Sequence, residues 1–380
     1  MLATVATGRL NGFREGIMAN TAPDRLRLPV RVEDVTAAWL TEALSRRYPG
    51  TEVLTAEHER IVYGTAAKLC LRLHYNQAGR EAGLPAKLWV KFGVGEHRHA
   101  IASCYYDEMR FYRDLQPLLG VNSPTCFFCG HDPEADQSLM ILEDLTSKGA
   151  RIWHATDNLS YEQAASFLDV QARYHARYWN SAELEEGGSL GWLCRVGRDQ
   201  ATMTYVEANL APETWASYMA QPRGVVLPRV LQDRAWMERA LARLMELDLR
   251  RPYCLLHSDT HLGNMYTDPD GKPGFLDWQV VRKGPWAHDV TYFMVSALDL
   301  VDRRKWERPL LAYYLSRLEM HGIRPPSFDE AWLAYRQQIV YGLFFWVVNP
   351  LSFQPEVVDA VYSARFAMAA IDVGTHEVMG

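Results

Sequence analysis

A chain of 380 residues, 48 % of them apolar, can bury the cores of about two domains. Its net charge of −6 speaks against a nucleic-acid binder that works by neutralising phosphates, and no run of about 18 or more apolar residues offers a transmembrane helix. Six scattered cysteines make no disulfide framework.

The first thirty residues lack an apolar stretch followed by a small-residue cleavage site, so a mobile arm over 1–30 and a cytoplasmic location are expected. Apolar spacing predicts a helix over 32–48, stopped by Pro49–Gly50. Strands are expected over 56–64, 67–76 and 87–93; in the second, Leu69, Leu71 and Leu73 alternate with polar positions. A helix is expected over 99–116. The lone "CFFC" at 126–129 lacks the four ligands of a structural zinc site and reads as two strand cysteines packed as small hydrophobes. A further strand over 138–145 ends on two acids, and helical patterns dominate from residue 160. The order predicts an α+β chain, with a smaller sheet-containing lobe over 31–145 and a larger, mainly helical lobe over 146–380.

Two positions in the smaller lobe break their patterns. Glu108 falls on the apolar face that runs through Ile101, Tyr105, Phe111 and Tyr112. Lys91 lies in the apolar strand "LWVKF", where it shares a face with Lys87 and Trp89. A buried charge needs a partner, so each is a candidate for the other; alternatively, both reach water at the edge of the face. Upstream, Gly64 and Thr65 form a small-residue turn between strands, which suits a hairpin or a cradle for phosphates.

The densest polar stretch is "LLHSDTHLGNMYTDPDGKPGFLDW", residues 255–278. Asp270–Gly271 and the flanking prolines predict a hairpin, with Asn264 before one arm and Asp277 after the other. An amide and a carboxylate suit Mg²⁺, which prefers oxygen ligands. Asp259 can serve as a general base. Two other readings compete: a metal-dependent hydrolase using His257 and His261 of H-x-D-x-H, and a plain polar turn.

Taken together, the strand lysine, the helix glutamate followed by "RFY", "LEDL", the D-x-x-x-x-N step and the strand-borne aspartate carry a resemblance over about residues 55–300. The chain resembles the aminoglycoside phosphotransferase and choline kinase family, which has a two-lobed protein-kinase-like fold, and looks most like its ecdysteroid-kinase-like branch. The resemblance implies an ATP- and Mg²⁺-dependent kinase of a small-molecule hydroxyl. Asp259 would orient or deprotonate the acceptor, and Asn264 and Asp277 would hold Mg²⁺. Lys91, fixed by Glu108, would contact the phosphates. Gly64–Thr65 would cover the phosphates, and backbone near Glu143 and Leu145 would receive adenine. Asp289 would brace the catalytic loop, and His257 would be structural. The departures are Ser258 where glycine is common, "DWQ" at 277–279, and a phosphate turn poor in glycine. A nucleotide-binding pseudokinase or sensor is the alternative from another class.

For the acceptor, residues 298–380 hold ten acids and eight bases, no strong acidic bias for a polycation. The segment 328–348 is dense in aromatics. Phe328, Trp332, Tyr335, Ile339, Leu343 and Trp346 form one helical stripe; Tyr341, Phe344, Phe345 and Val348 lie off it. Such a helix is interior, or it lines an apolar pocket in which Tyr341 and Phe345 meet a hydrophobic or amphiphilic alcohol. His175 in "RYHARYW" reads as a packed core histidine, with a place in that substrate pocket as the alternative. Oligomeric state is left open.

Overall fold

The computed structural model describes residues 26–95, 99 and 101–380. Most of the expected N-terminal arm lies outside the described residues.

Antiparallel strands β1 (Val53–Val62), β2 (Ala67–Tyr75), β3 (Lys87–Phe92), β4 (Cys126–Asp132) and β5 (Gln137–Glu143) form one sheet in the order β1-β2-β3-β5-β4. Strand alternation decides what each face carries. Leu69, Leu71, Leu88, Val90, Phe92, Leu139 and Ile141 point to one side, where they pack with Leu40, Ala43 and Leu44 of α1 (Ala37–Ser45). The other face carries Lys68, Trp89 and Lys91 and looks into a cleft. α1 is shorter than the expected 32–48. Val32–Asp34 closes a separate 3-10 turn, and Thr36 caps α1 by accepting the Trp39 N–H at 3.2 Å.

After the short α2 (Gln77–Glu81), α3 (Ala102–Arg110) packs across β5. The helix expected over 99–116 is not uniform. It widens into a π-helical turn at Phe111–Leu115 before α4 (Gln116–Leu119). Cys126 and Cys129 lie on β4 as unbridged thiols.

Beyond β5 come two small sheets. One has the order β6-β8-β9 and is built from β6 (Arg151–Ile152), β8 (Met265–Thr267) and β9 (Pro273–Phe275); the other pairs β7 (Cys254–Leu256) with β10 (Arg282–Gly284). Helices enclose them: α5 (Tyr161–Arg177), α6 (Gln200–Asn209), α7 (Pro212–Met219), α8 (Pro222–Val225), α9 (Arg234–Arg250), α10 (Ala287–Ala297), α11 (Leu300–Met320), α12 (Phe328–Val347), α13 (Glu356–Asp372) and α14 (Thr375–Met379). Every residue of α10 is buried, so this helix is the centre of the helical part. α12 is interior over its second half, where Gly342 lets Phe366 of α13 approach its backbone. The mixed α+β architecture, an N-terminal antiparallel sheet followed by a larger helical part, is the one the sequence order predicts.

Candidate active site

The hairpin positions the site. Met265 pairs with Phe275 across β8–β9, and the Leu276 N–H donates to the Asn264 carbonyl at 2.8 Å. Asn264 and Asp277, thirteen residues apart, therefore emerge side by side at the open end. Both line a cleft of about 300 Å³ under the N-terminal sheet. The Asn264 amide nitrogen donates to the Asp259 carbonyl (3.0 Å) and to Asp259 Oδ2 (2.8 Å). That fixes the amide's orientation and leaves its oxygen for the cleft, beside the Asp277 carboxylate.

Lys91 and Glu108 are partners across the strand–helix interface, and Asp277 joins them. Lys91 Nζ lies 2.5 Å from Glu108 Oε2 and 2.6 Å from Asp277 Oδ1, with 4 % of its side chain exposed. Burial alone would discharge this lysine; Asp277 and Glu108 outweigh it and hold the ammonium above its ordinary value. Burial raises Glu108 against the pull of Lys91. In Asp277, burial opposes the charge, but Lys91 and Lys68 hold the carboxyl well below the usual range. Its backbone is left-handed, with φ +61°, a conformation a non-glycine residue keeps only under tight constraint.

α3 is secured from three sides. Phe111, in the widened turn, stacks on buried Trp278 at 4.2 Å. Asp107 accepts from Arg282 at 2.6 Å, and Tyr105 donates to the Thr65 carbonyl at 2.6 Å. Trp278 of "DWQ" is thus the anchor that ties the glutamate helix to the aspartate loop.

The loop after β7 is held from below by Asp289. Its carboxylate accepts the backbone N–H groups of His257 and Ser258 at 2.8 Å each, and the Tyr174 hydroxyl at 2.8 Å. Burial would raise Asp289, but the hydrogen bond with His175 and the adjoining imidazole rings hold its carboxyl at about 2. Ser258 has φ +70°, which accounts for the glycine its position favours.

His257 has spent both ring nitrogens, and His261 its Nδ1. His257 donates from Nε2 to the Leu276 carbonyl (2.8 Å) and accepts the Asp259 N–H at Nδ1 (3.2 Å). His261 accepts the Gly263 N–H at Nδ1 (3.1 Å), which puts its proton on Nε2, 3.6 Å from Asp259 Oδ2. Burial lowers His257 and takes His261 down to about 3, so both rings are neutral. A ring committed at both nitrogens, as His257 is, does not ligate a metal. Among the described residues, no group of three or more His, Cys, Asp or Glu is arranged to hold one. The H-x-D-x-H hydrolase reading loses one of its two histidine ligands.

Asp259 keeps a quarter of its side chain open. Burial, followed by the charge of Asp277, pushes its carboxyl up to about 7. A base with that value is matched to work near neutrality.

Of the remaining expected residues, Glu143 lines the inner edge of the cleft with Leu145, among the apolar side chains of Leu142, Ile152 and Leu276. The Glu143 carboxylate accepts the Thr125 N–H at 3.0 Å and pairs with Lys148. Gly64 and Thr65 form the β1–β2 turn but are not among the residues lining the cleft. Tyr341 and Phe345 are half-buried neighbours, with ring centres 4.3 Å apart; Tyr341 meets His288 and Phe345 stacks on Tyr205. His175 takes a packed core position, not one on the acceptor wall. It is fully buried between the Tyr314 hydroxyl (2.8 Å) and Asp289 (3.3 Å), where it braces the brace. Sequence reasoning missed Lys68, whose Nζ reaches Asp277 Oδ2 at 3.2 Å, and the role of His261 beside Asp259. Their signals were faint: a polar position in an alternating strand, and a histidine two residues from an aspartate.

Comparison with curated proteins gives no match. Among solved structures, a microcompartment-associated aminopropanol kinase shares the fold, with TM-score 0.51 at 13 % identity over 86 % of this chain and 94 % of its own. A spectinomycin phosphotransferase in complex with ADP and spectinomycin aligns over 90 % of this chain and 99 % of its own (TM-score 0.49, 16 % identity). A choline kinase from Streptococcus pneumoniae aligns over 88 % and 96 % (TM-score 0.48, 13 % identity). The model of the phosphotransferase enzyme family matches residues 94–328, more than half of the chain and all of the segment from Glu108 to Asp289. The chain belongs to the phosphotransferase enzyme family.

Proposed function

We propose that this phosphotransferase moves the terminal phosphoryl group of ATP, with Mg²⁺, to a hydroxyl of a small apolar or amphiphilic molecule. The observation that carries the reading is one cleft lined by Lys91, Glu108, Asn264 and Asp277, which come from three separate stretches of sequence, with Asp259 hydrogen-bonded to Asn264 beside it. A nucleotide-binding part over 31–145 and a catalytic and acceptor-binding part over 146–380 divide the work.

Adenine would lie between Leu142, Ile152 and Leu276, against the backbone of Glu143 and Leu145. Lys91, immobilised by Glu108, would meet the α- and β-phosphates, and Gly64–Thr65 would close over them. The Asn264 oxygen and the Asp277 carboxylate would hold Mg²⁺, with water and phosphate oxygens completing its shell. When bound, that ion neutralises charge on the phosphates. Asp259 takes the proton of the acceptor hydroxyl as its oxygen bonds to phosphorus and the bond to ADP breaks. Asn264 holds the Asp259 carboxylate in place, with neutral His261 beside it. His257 and Asp289 keep the loop rigid. Positioning and charge neutralisation supply most of the rate in chemistry of this kind.

Half-buried Tyr341 and Phe345, with ring centres 4.3 Å apart, support an apolar acceptor face, since Tyr341 lies near enough to Asp259 for that carboxylate, after burial, to raise its phenol. The test is a library of alcohols, sterols, amino alcohols and aminoglycosides incubated with protein, ATP and Mg²⁺ and read by mass spectrometry. An acceptor gaining one phosphate, with no product from Asp259→Asn, supports the reading. ATP that binds without any transfer would favour the sensor alternative. Transfer to aminoglycosides but to no apolar alcohol would refute the acceptor class.

A further inference from the structure

The β2–β3 register sets Lys68 directly opposite Lys91, and both side chains leave the same face of the sheet. Like charges directly opposed on neighbouring strands repel. Here a single carboxylate separates them: Asp277 Oδ1 is 2.6 Å from Lys91 Nζ, and Oδ2 is 3.2 Å from Lys68 Nζ. Both oxygens of Asp277 are therefore capped by ammonium groups. A carboxylate that is to bind a divalent cation has to give one of them up.

The two lysines are not equivalent. Lys91 is buried and pinned from behind by Glu108. Lys68 keeps 41 % of its side chain exposed, and Asp277 is its one ion-pair partner among the described residues. The neighbouring acid on β1, Glu59, is already paired with Arg72 and Lys87. Lys68 is the group free to leave, and once displaced it remains a cation on the lining of the cleft. The turn beneath which it sits, Gly64–Thr65–Ala66–Ala67, has one glycine, so it offers little of the close backbone approach with which glycine-rich loops hold phosphate.

We propose that Lys68 is a second phosphate-binding lysine that exchanges partners. In the nucleotide-free protein it occupies the metal-facing oxygen of Asp277. When a divalent cation takes that oxygen, Lys68 moves to the terminal phosphates of the nucleotide and supplies the charge the turn lacks. The inference rests on the nucleotide reading of the cleft.

The exchange makes opposite predictions for metal and nucleotide. In Lys68→Met, Mn²⁺ added without nucleotide, followed by electron paramagnetic resonance, should bind several-fold more tightly, because its competitor is gone. The affinity for ATP with Mg²⁺, measured by calorimetry, should fall about tenfold, the size of one charge-assisted hydrogen bond. Adenosine affinity should be unchanged. Lys68→Arg should retain most of the ATP affinity, which a loss of folding would not allow. If Lys68→Met binds both Mn²⁺ and ATP like the unmodified protein, the partner exchange is wrong while the nucleotide site stands. If the unmodified protein binds no ATP, the nucleotide reading falls and this inference falls with it.

Discussion

Asp259→Asn is the substitution with the largest consequence to be worked from the structure, because it separates catalysis from stability. Burial and the charge of Asp277 move the Asp259 carboxyl from an ordinary 3.8 to about 7. The folded protein thus holds this proton more tightly than the unfolded chain. Stability from the shift is complete below pH about 4 and is lost as pH rises through about 7. A shift of that size costs about 4 kcal/mol once the group is ionised, of which roughly 2.5 kcal/mol falls between pH 5 and pH 8. An asparagine never ionises and keeps an oxygen for the Asn264 amide, now at 2.8 Å. The variant should therefore melt above the unmodified protein at pH 8, and the gap should narrow by several degrees at pH 5. Melts are followed by tryptophan fluorescence, for which the chain has 12 reporters, without nucleotide or metal. Transfer should be abolished in the same variant while ATP still binds. A melting gap that does not change with pH would refute the assigned charge state, and near-normal transfer would refute the base.

Asp277→Ala should abolish the Mg²⁺-dependent part of ATP binding in calorimetry, since it removes the carboxylate next to Asn264 and unties Lys91 and Lys68. Glu108→Ala should destabilise the protein by about 3 kcal/mol in urea titrations, near the low end for a broken buried pair because Asp277 remains on Lys91. It should also raise the KM for ATP. Gly342→Ala should lower stability by about 1–3 kcal/mol without altering the site, because an added Cβ would meet Phe366 at 2.0 Å. A neutral result there would mean that α12 and α13 separate easily.

Several elements of the site could be read without coordinates because their signals are local. The Asp270–Gly271 turn brings Asn264 and Asp277 together through a hairpin of a few residues, and strand alternation puts Lys91 on the face away from Leu88, Val90 and Phe92. Glu108 announced itself by interrupting an apolar face. Other features stayed open between two readings for an equally physical reason. A packed core position for His175 competed with a place in the substrate pocket, because the groups that bury it, Tyr314 and Asp289, lie more than a hundred residues away in the chain. A structural role for His257 competed with metal ligation until its hydrogen bonds to Leu276 and Asp259 took up both ring nitrogens. The uniform helix expected over 99–116 concealed a π-helical turn, because its composition is helical throughout and only the stack of Phe111 on Trp278 marks where it widens.

By itself, the sequence determined the order of elements, the hairpin that carries Asn264 and Asp277, and the need of Glu108 for a cation. Periodicity and turn chemistry act over a few residues, and those features need nothing longer. The tertiary structure alone decided that one aspartate bridges two lysines and that His257 ties the loop to Leu276 through hydrogen bonds at both ring nitrogens. It also decided that partial burial beside the charge of Asp277 lets Asp259 hold its proton near neutrality. Each of these depends on strand register or on contacts between distant segments, and the field at a carboxylate is the sum of charges that only folding brings within reach.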